Sequence, residues 1–423
     1  MSGNIVGLDI GTSYVRAIIG EYSESGTPQI TGIGKYVSTG LRNGLVVNIE
    51  STTQAIKEAV EAAEMLSGFV VTSCVAAIGG TQVAGHNSRG TVAISSGEKG
   101  TREISKPDIG RAIEVAKAVN FPLDRQILHI VPQGYAVDGQ DGIKDPENML
   151  GVRLDAMVHI VTAAVTSLQN VQRCIVRAGY ELEQDGLMLK TLAATQAVMT
   201  DEELDLGSIL IDLGGGTTDV LVLYGGAPVS THSIALGGIN VTKDIAVMKG
   251  ISFKTAEEIK LSSGSCWENY IEDSGDTSGV VIPGVGGRPP ETISRLELCG
   301  IIKPRVEEIL TLVRQEVSRN AKGIDTLSGN IVLTGGGALL PGVVELTQQI
   351  FDTGAVRIGL PPANLGSIFD EYRNPEYATA AGLFLYANRK RQLEAERGNN
   401  YRARKITGTV LGGKIFNFFR EFF

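Results

Sequence analysis

Cysteine is scarce in this chain. Its four residues, Cys74, Cys174, Cys266 and Cys299, lie far apart and form no CxxC pair. That excludes a disulfide framework and points to buried thiols in a reducing compartment. The four histidines show no ligand spacing, so no zinc site is expected. No apolar run approaches the roughly 18 residues a membrane span needs, and the N-terminus lacks the basic-then-apolar layout of a secretory signal. The expectation is a cytosolic protein able to lie on a membrane but not to cross it. A GxxxxGK[ST] loop and a dinucleotide-binding fingerprint are both missing. The net charge of −9 and pI near 5.2 argue against a general nucleic-acid binder. At 423 residues the chain exceeds one ordinary core, so two or more domains are expected.

The C-terminus runs against the acidic trend. The last twelve residues read GGKIFNFFREFF. Ile415, Phe416, Phe418, Phe419, Phe422 and Phe423 recur at helical spacings and fall on one face. Seven Lys or Arg and two Glu lie between Arg389 and Lys405, beside that face. An apolar face flanked by basic residues suits an anionic lipid surface. Half-burial of the six apolar side chains is worth about 5–9 kcal/mol before the cost of ordering a short helix. Docking of this helix on the protein's own core is the alternative. The polar, Gly-containing stretch 389–412 reads as a tether and disfavours it.

Residues 4–22, NIVGLDIGTSYVRAIIGEY, read as two strands joined by a Gly-Thr turn, with Asp9 in the first strand. Residues 208–224, SILIDLGGGTTDVLVLY, repeat that plan with Asp212. A third glycine turn follows a strand in 330–342, NIVLTGGGALLPG, and opens into a helical pattern through Val343, Leu346 and Ile350. Amphipathic helices are expected at 52–66 and 304–320. Residues 82–162 carry strand signals at 90–95, 127–137 and 156–163 and a helix near 106–119. None of the glycine turns lies there, so they read as an inserted module. The Ser-, Gly-, Asp- and Pro-rich stretch 262–290 is expected to begin as a long surface loop.

An acid at the end of a buried strand, followed by a Gly/Thr hairpin, suits a nucleotide phosphate with Mg²⁺. Glycines let backbone N–H groups approach phosphate oxygens, and a carboxylate is a hard ligand that reaches Mg²⁺ through water. Asp9 and Asp212 are the expected Mg²⁺ residues. Two such turns can clamp a phosphate chain from opposite sides. The third turn, Gly335-Gly336-Gly337, suits adenine and ribose.

These three segments resemble the phosphate and adenosine motifs of the actin, hexokinase and heat-shock-chaperone superfamily. The implied fold is α/β: an actin-like ATPase of two lobes, each with a mixed sheet flanked by helices. Residues 374–385, NPEYATAAGLFL, resemble its final connecting helix, and 255–264, TAEEIKLSSG, the segment beside adenine and ribose. Within the superfamily the chain is most similar to the FtsA family of bacterial cell-division proteins. SRGTVAI at 88–94, the segment 281–309 and the terminal amphipathic helix carry that similarity, which covers essentially the whole chain except 265–280 and the tether.

The resemblance implies subdomain 1A at 1–81 with 163–195 and 376–390, and an inserted subdomain 1C at 82–162. It implies 2A at 196–242 with 307–375 and 2B at 243–306. A flexible tether at 391–411 and a membrane-binding helix at 412–423 complete the division. Asp9, Gly11, Thr12 and Ser13 would bind phosphate and Mg²⁺ from one side. Asp212, Gly214, Gly215, Gly216 and Thr217 would do so from the other. Gly335, Gly336, Gly337 and Ala338 would contact adenosine, with Glu257 and Lys260. Tyr14 stands where many FtsA proteins carry Lys, and Arg16 is the candidate substitute; the other reading of Arg16 is a solvent-facing strand residue. Matching LAATQAVMT places Lys190, with no carboxylate or amide, at the position that orients the attacking water in related ATPases. ATP binding with slow or negligible turnover is therefore expected.

The implied partners are the C-terminal tail of the tubulin-like FtsZ, further copies of the chain in a filament, anionic lipids and other division proteins. Arg305 and Glu308, three apart on the 304–320 helix, are the candidate residues for the FtsZ tail. The implied place of action is the cytoplasmic face of the inner membrane at the division site. A pilus-assembly ATP-binding protein of the same subfamily is the nearest competing reading, and a small-molecule kinase of this fold a more distant one. A chaperone would need a peptide-binding domain after the connecting helix, where only about forty residues follow.

Overall fold

The computed structural model describes residues 4–22, 27–94, 100–274, 279–284, 286–287, 289–320, 330–366 and 370–403. The terminal face Ile415, Phe416, Phe418, Phe419, Phe422 and Phe423 lies outside the described residues.

The chain begins with β1 (Ile5–Ile10), β2 (Tyr14–Tyr22) and β3 (Pro28–Val37). Every residue of β1 is buried, as a central strand covered on both faces requires. A small hairpin, β4 (Leu41–Arg42) and β5 (Leu45–Val46), leads to α1 (Ile49–Ser67) and β6 (Ser73–Ile78). Asn48 caps α1 by accepting from Ser51 N, and Gly68 ends it at φ 70°. The inserted module follows: β7 (Val83–Ala93), β8 (Arg102–Glu103), α2 (Lys106–Lys117), β9 (Arg125–Val137), β10 (Gln140–Ile143), β11 (Leu150–Gly151) and β12 (Arg153–Ala164). The chain returns through α3 (Val165–Arg177) and β13 (Glu181–Leu189) to complete a sheet of order β13-β6-β1-β2-β3.

Next come α4 (Lys190–Val198), α5 (Asp201–Leu206), β14 (Ser208–Leu213), β15 (Thr218–Tyr224) and β16 (Ala227–Ile234). Three helices follow, α6 (Gly238–Lys249), α7 (Phe253–Ser263) and α8 (Glu268–Ser274), and then a short ladder of β17 (Val280–Ile282) and β18 (Glu291–Ile293). The last elements are α9 (Arg295–Asn320), β19 (Ile331–Thr334), α10 (Val343–Phe351), β20 (Val356–Ile358) and α11 (Ala378–Ala403). The second sheet has the order β16-β15-β14-β19-β20.

The internal repeat holds strand for strand. β1 pairs antiparallel with β2 and parallel with β6; β14 pairs antiparallel with β15 and parallel with β19. Asp9 and Asp212 are each the fifth residue of their strand, facing Arg16 and Asp219 across the hairpin. Buried apolar side chains form three clusters, centred on the first sheet, the second sheet and the inserted module. α4 joins the first two, with seven of its nine residues buried. α11 crosses beside it so closely that a Cβ on Gly7 would lie 2.5 Å from Ala380 O.

The module's sheet, β10-β9-β12-β7, carries α2 on one face. Its other side meets β16. Asn87 Nδ2 donates to Val229 O at 2.9 Å, Gln133 Nε2 donates to Pro228 O at 2.9 Å, and His159 Nε2 lies 2.8 Å from Thr231 Oγ1.

Three expectations need correction. The helix expected at 304–320 begins at Arg295, with Pro304 inside it. Buried Leu298, Cys299 and Ile302 extend the stripe of Val306, Ile309 and Val313, and that burial outweighs the proline's lost hydrogen bond. The stretch after 262 is not simply a surface loop: α8 forms there, and Cys266 N donates to Pro341 O at 2.9 Å. The tether does not begin at 391. α11 continues to Ala403, and Arg391 is docked, donating to Asn4 O at 3.1 Å and pairing with Glu183 at 2.6 Å. Extending an existing helix through RKRQLEAER needs no new nucleus, so propensity suffices.

Candidate functional site

The two hairpin turns and the third glycine turn converge on one cleft of about 360 Å³ between the lobes. At the first turn Gly11 N donates to Tyr14 O at 3.1 Å, and a Cβ on Gly11 would lie 2.6 Å from that oxygen. Thr12 Oγ1 accepts from Gly44 N at 3.1 Å. At the second turn Gly214 N donates to Thr217 O at 2.9 Å. The N-terminus of α6 supports it: Gly238 N donates to Gly214 O at 3.0 Å and Ile239 N to Gly215 O at 2.8 Å. The turns abut, since a Cβ on Gly216 would lie 2.8 Å from Thr12 Cγ2. Gly335 has φ +79°, and a Cβ there would collide with Asp212 Oδ1, so only glycine suits the position.

Three buried carboxyl groups, Asp9, Asp212 and Asp219, and the largely buried Lys190 lie beneath the turns. Lys190 Nζ, at the start of α4, is 3.0 Å from Asp212 Oδ2. Asp219 accepts from Gly80 N and Thr217 Oγ1, both at 3.0 Å. Burial raises the pKa of Asp9 above the usual carboxylate value, with Lys190 and Arg16 opposing and Asp212 adding to the rise. Asp219 is raised likewise, burial again exceeding the pull of Lys190. Burial would lower Lys190, but Asp212, Asp9 and Asp219 together outweigh it and hold its pKa above the ordinary lysine value. Asp212 is 1% exposed, and its Oδ1 accepts no hydrogen bond among the described residues. A buried, unspent carboxylate oxygen beside glycine turns fits a hard cation reached through water.

Asp9, Gly11, Thr12, Ser13, Arg16, Asp212, Gly214, Gly215, Gly335, Gly336, Gly337, Glu257 and Lys260 all line the cleft. Gly216 packs on Thr12 instead, Thr217 turns its hydroxyl to Asp219, and Ala338 is buried in the second core. Glu257 and Lys260 are paired on α7 at 2.7 Å, and Lys260 Nζ also donates to Thr242 Oγ1 at 2.9 Å. The solvent-facing reading of Arg16 is wrong: it is 8% exposed and lies 2.9 Å from Glu376. Arg305 and Glu308 are paired on α9, but Arg305 also grips Asp244 of α6 through two hydrogen bonds of 2.7 and 3.1 Å.

Sequence reasoning missed Lys35, Glu376 and Asp219 at this site. Asp219 was visible as the second acid of DLGGGTTD. Lys35 and Glu376 lie 341 positions apart, and no local pattern marks either.

The chain has the actin-like ATPase fold. It aligns with a structure described as a PilM–PilN type IV pilus biogenesis complex at 18% identity and a TM-score of 0.63, covering 90% of this chain and 97% of that one. It also aligns with MreB5 of Spiroplasma citri bound to AMPPNP at 16% identity and a TM-score of 0.54, covering 94% and 98%. At these identities the likeness establishes fold alone. Family is decided by sequence. Residues 209–382 match the model of "Cell division protein FtsA", and residues 80–162 match "SHS2 domain inserted in FTSA". The chain is 41% identical to the cell division protein FtsA of Pseudomonas aeruginosa, covering 91% of this chain and 89% of the relative. It is 42% identical to that of Neisseria meningitidis over 89% and 88%, and 35% identical to that of Escherichia coli K12 over 90% and 90%. The chain belongs to the FtsA family of bacterial cell-division proteins. That membership sets aside the pilus-assembly and kinase readings.

Proposed function

We propose that this protein binds ATP with Mg²⁺ between its lobes and fastens FtsZ polymers to the inner face of the cytoplasmic membrane. The observation that carries the nucleotide part is the pairing of two repeated Asp-and-glycine turns across one cleft, with the unspent Asp212 Oδ1 between them. Asp9 and Asp212 would hold the cation through water, which would neutralise phosphate charge. The glycine turns would present backbone N–H groups to the phosphates, and Glu257, Lys260 and the Gly335–Gly337 turn would enclose adenosine. Lys190 occupies the start of α4 and carries no group able to take a proton from water, which supports slow turnover at most. Nucleotide then acts as a ligand of the closed, filament-competent state.

The terminal helix supplies the membrane contact on this reading. No described helix is long and apolar enough to cross a bilayer. One short anchor binds reversibly, and a filament presenting many gains avidity. The FtsZ tail would dock beside Arg305 and Glu308 on the second lobe, the inserted module would supply a longitudinal filament contact, and later division proteins would be recruited to the assembly.

Co-sedimentation with anionic liposomes and Mg-ATP tests the anchor. Full-length protein is expected in the pellet and a form ending at Leu411 in the supernatant. Equal pelleting of both would remove the terminal helix from the membrane contact.

A further inference from the structure

At the first-lobe wall of the cleft, three charged side chains form a group that the phosphate turns do not account for. Glu376 lies in the 3-10 turn Pro375–Tyr377, immediately before α11. Its Oε1 is 2.9 Å from Arg16 Nη2, and its Oε2 accepts from Lys35 Nζ at 2.7 Å. Arg16 and Lys35 are cross-strand partners in the β2–β3 ladder, so both project to the same wall. Aromatic rings fix them further. The Arg16 guanidinium lies 5.3 Å from the Tyr14 ring and 5.7 Å from the Tyr377 ring, and the Lys35 ammonium lies 4.4 Å from Tyr14. All three charged residues face the cleft.

The adjoining residue is bound to the other lobe. Pro375 O accepts from Gly335 N at 3.1 Å and from Thr334 Oγ1 at 3.2 Å. A Cβ on Gly336 would lie 3.3 Å from Glu376 Oε1, so the carboxylate rests against the third glycine turn. The dipeptide 375–376 therefore touches both lobes, closes one wall of the cleft and starts α11.

We infer that Glu376 is an internal substitute for phosphate. It occupies donors of Arg16 and Lys35 and yields part of them to the phosphate chain of a bound nucleotide, so that occupancy of the cleft is passed to the start of α11. Two features fit that exchange. Arg16 Nε is buried and donates to no acceptor among the described residues, which leaves one donor of the fork unspent. Lys35 keeps 35% of its side chain exposed and can turn toward an incoming anion. A carboxylate and a phosphate chain sharing two cations repel one another, so the nucleotide binds against Glu376. Glu376 is a positioning residue, acting through Arg16 and Lys35. The inference rests on the nucleotide-binding reading above.

Calorimetric titration of the full chain with Mg-ADP, Mg-ATP and adenosine tests it, in wild type, Glu376→Gln, Lys35→Met and the double variant. Glu376→Gln is expected to bind ADP and ATP about fivefold tighter, the scale of one like charge removed at a partly exposed position, with adenosine unchanged. Lys35→Met is expected to weaken both nucleotides, and the gain from Glu376→Gln should shrink in its presence. Hydrogen exchange gives the second readout: ADP should shift exchange in residues 378–386 of wild type and leave it unshifted in Glu376→Gln. Normal ADP binding by wild type, together with an unaltered Glu376→Gln or an equal change for adenosine, overturns this inference alone. Failure of wild type to bind either nucleotide overturns the nucleotide reading and this inference together.

Discussion

Lys190 Nζ stands 3.0 Å from Asp212 Oδ2, so the first residue of the helix between the lobes neutralises the acid of the second repeat. The same ammonium is felt by Asp9 and Asp219. One cation thus stabilises three buried carboxyl groups. Lys190→Met keeps the side-chain volume and removes the charge. Leaving buried acids without their partner costs about 3–5 kcal/mol. Thermal unfolding of this variant is expected well below wild type, with Mg²⁺ recovering more of the loss than it adds to wild type. An unchanged melting temperature would mean the acids are held by other means.

Gly335→Ala tests the third turn. The position has φ +79°, and the added methyl would collide with Asp212 Oδ1. Strain of about 1–3 kcal/mol at this turn should weaken ADP binding at least tenfold while circular dichroism stays native. Full affinity in the variant would show that the turn lies outside the binding geometry.

Two histidines set an acid limit on stability. His129 accepts from Leu189 N at 2.8 Å, and burial pushes its pKa down to about 3. His159 lies between Asn87 and Thr231, and burial, helped by His86 and His232, lowers it to about 3. Both are neutral in the fold and titrate near 6.5 when unfolded, so the stability is present above pH 6.5 and is lost as pH falls toward 3. From pH 7 to pH 5 the two together should cost about 4 kcal/mol. Denaturant titrations at both pH values check this, and His159→Gln should roughly halve the loss.

The single tryptophan, Trp267, offers a direct probe of the site. It adjoins the Pro341–Gly342 turn: a Cβ on Gly342 would lie 2.8 Å from Trp267 N, and Lys303 lies 5.4 Å from the indole ring. Pro341 lines the cleft. Adenine nucleotide should therefore change the intrinsic tryptophan emission. A spectrum that ignores saturating ADP would separate this turn from the binding event.

The parts legible in the sequence were those with a local signature. Asp9 and Asp212 are marked by an acid at a strand end before glycine, and their strands repeat a recognisable plan. Glu257 and Lys260 are marked only by the resemblance of TAEEIKLSSG to the segment beside adenine and ribose in related proteins. Glu376, Lys35 and the Arg305–Asp244 contact carry no such mark, because each joins elements distant in sequence. The start of α9 was also hidden, since the expected helix opened at 304. The buried stripe on both sides of Pro304 shows that the helix passes through it. The docking of 265–267 on Pro341 was hidden by a Ser- and Gly-rich composition that usually means solvent.

The polar seam between the inserted sheet and β16 has a mechanical consequence. Besides their contacts at the cleft, such as Pro375 O with Gly335 N, the lobes meet where α4 and α11 together pack on both sheets and again, through the inserted module, at Asn87, Gln133 and His159. Held at the cleft, at the helix crossing and at this seam, the lobes have few directions left in which to turn, and loosening the seam would add one.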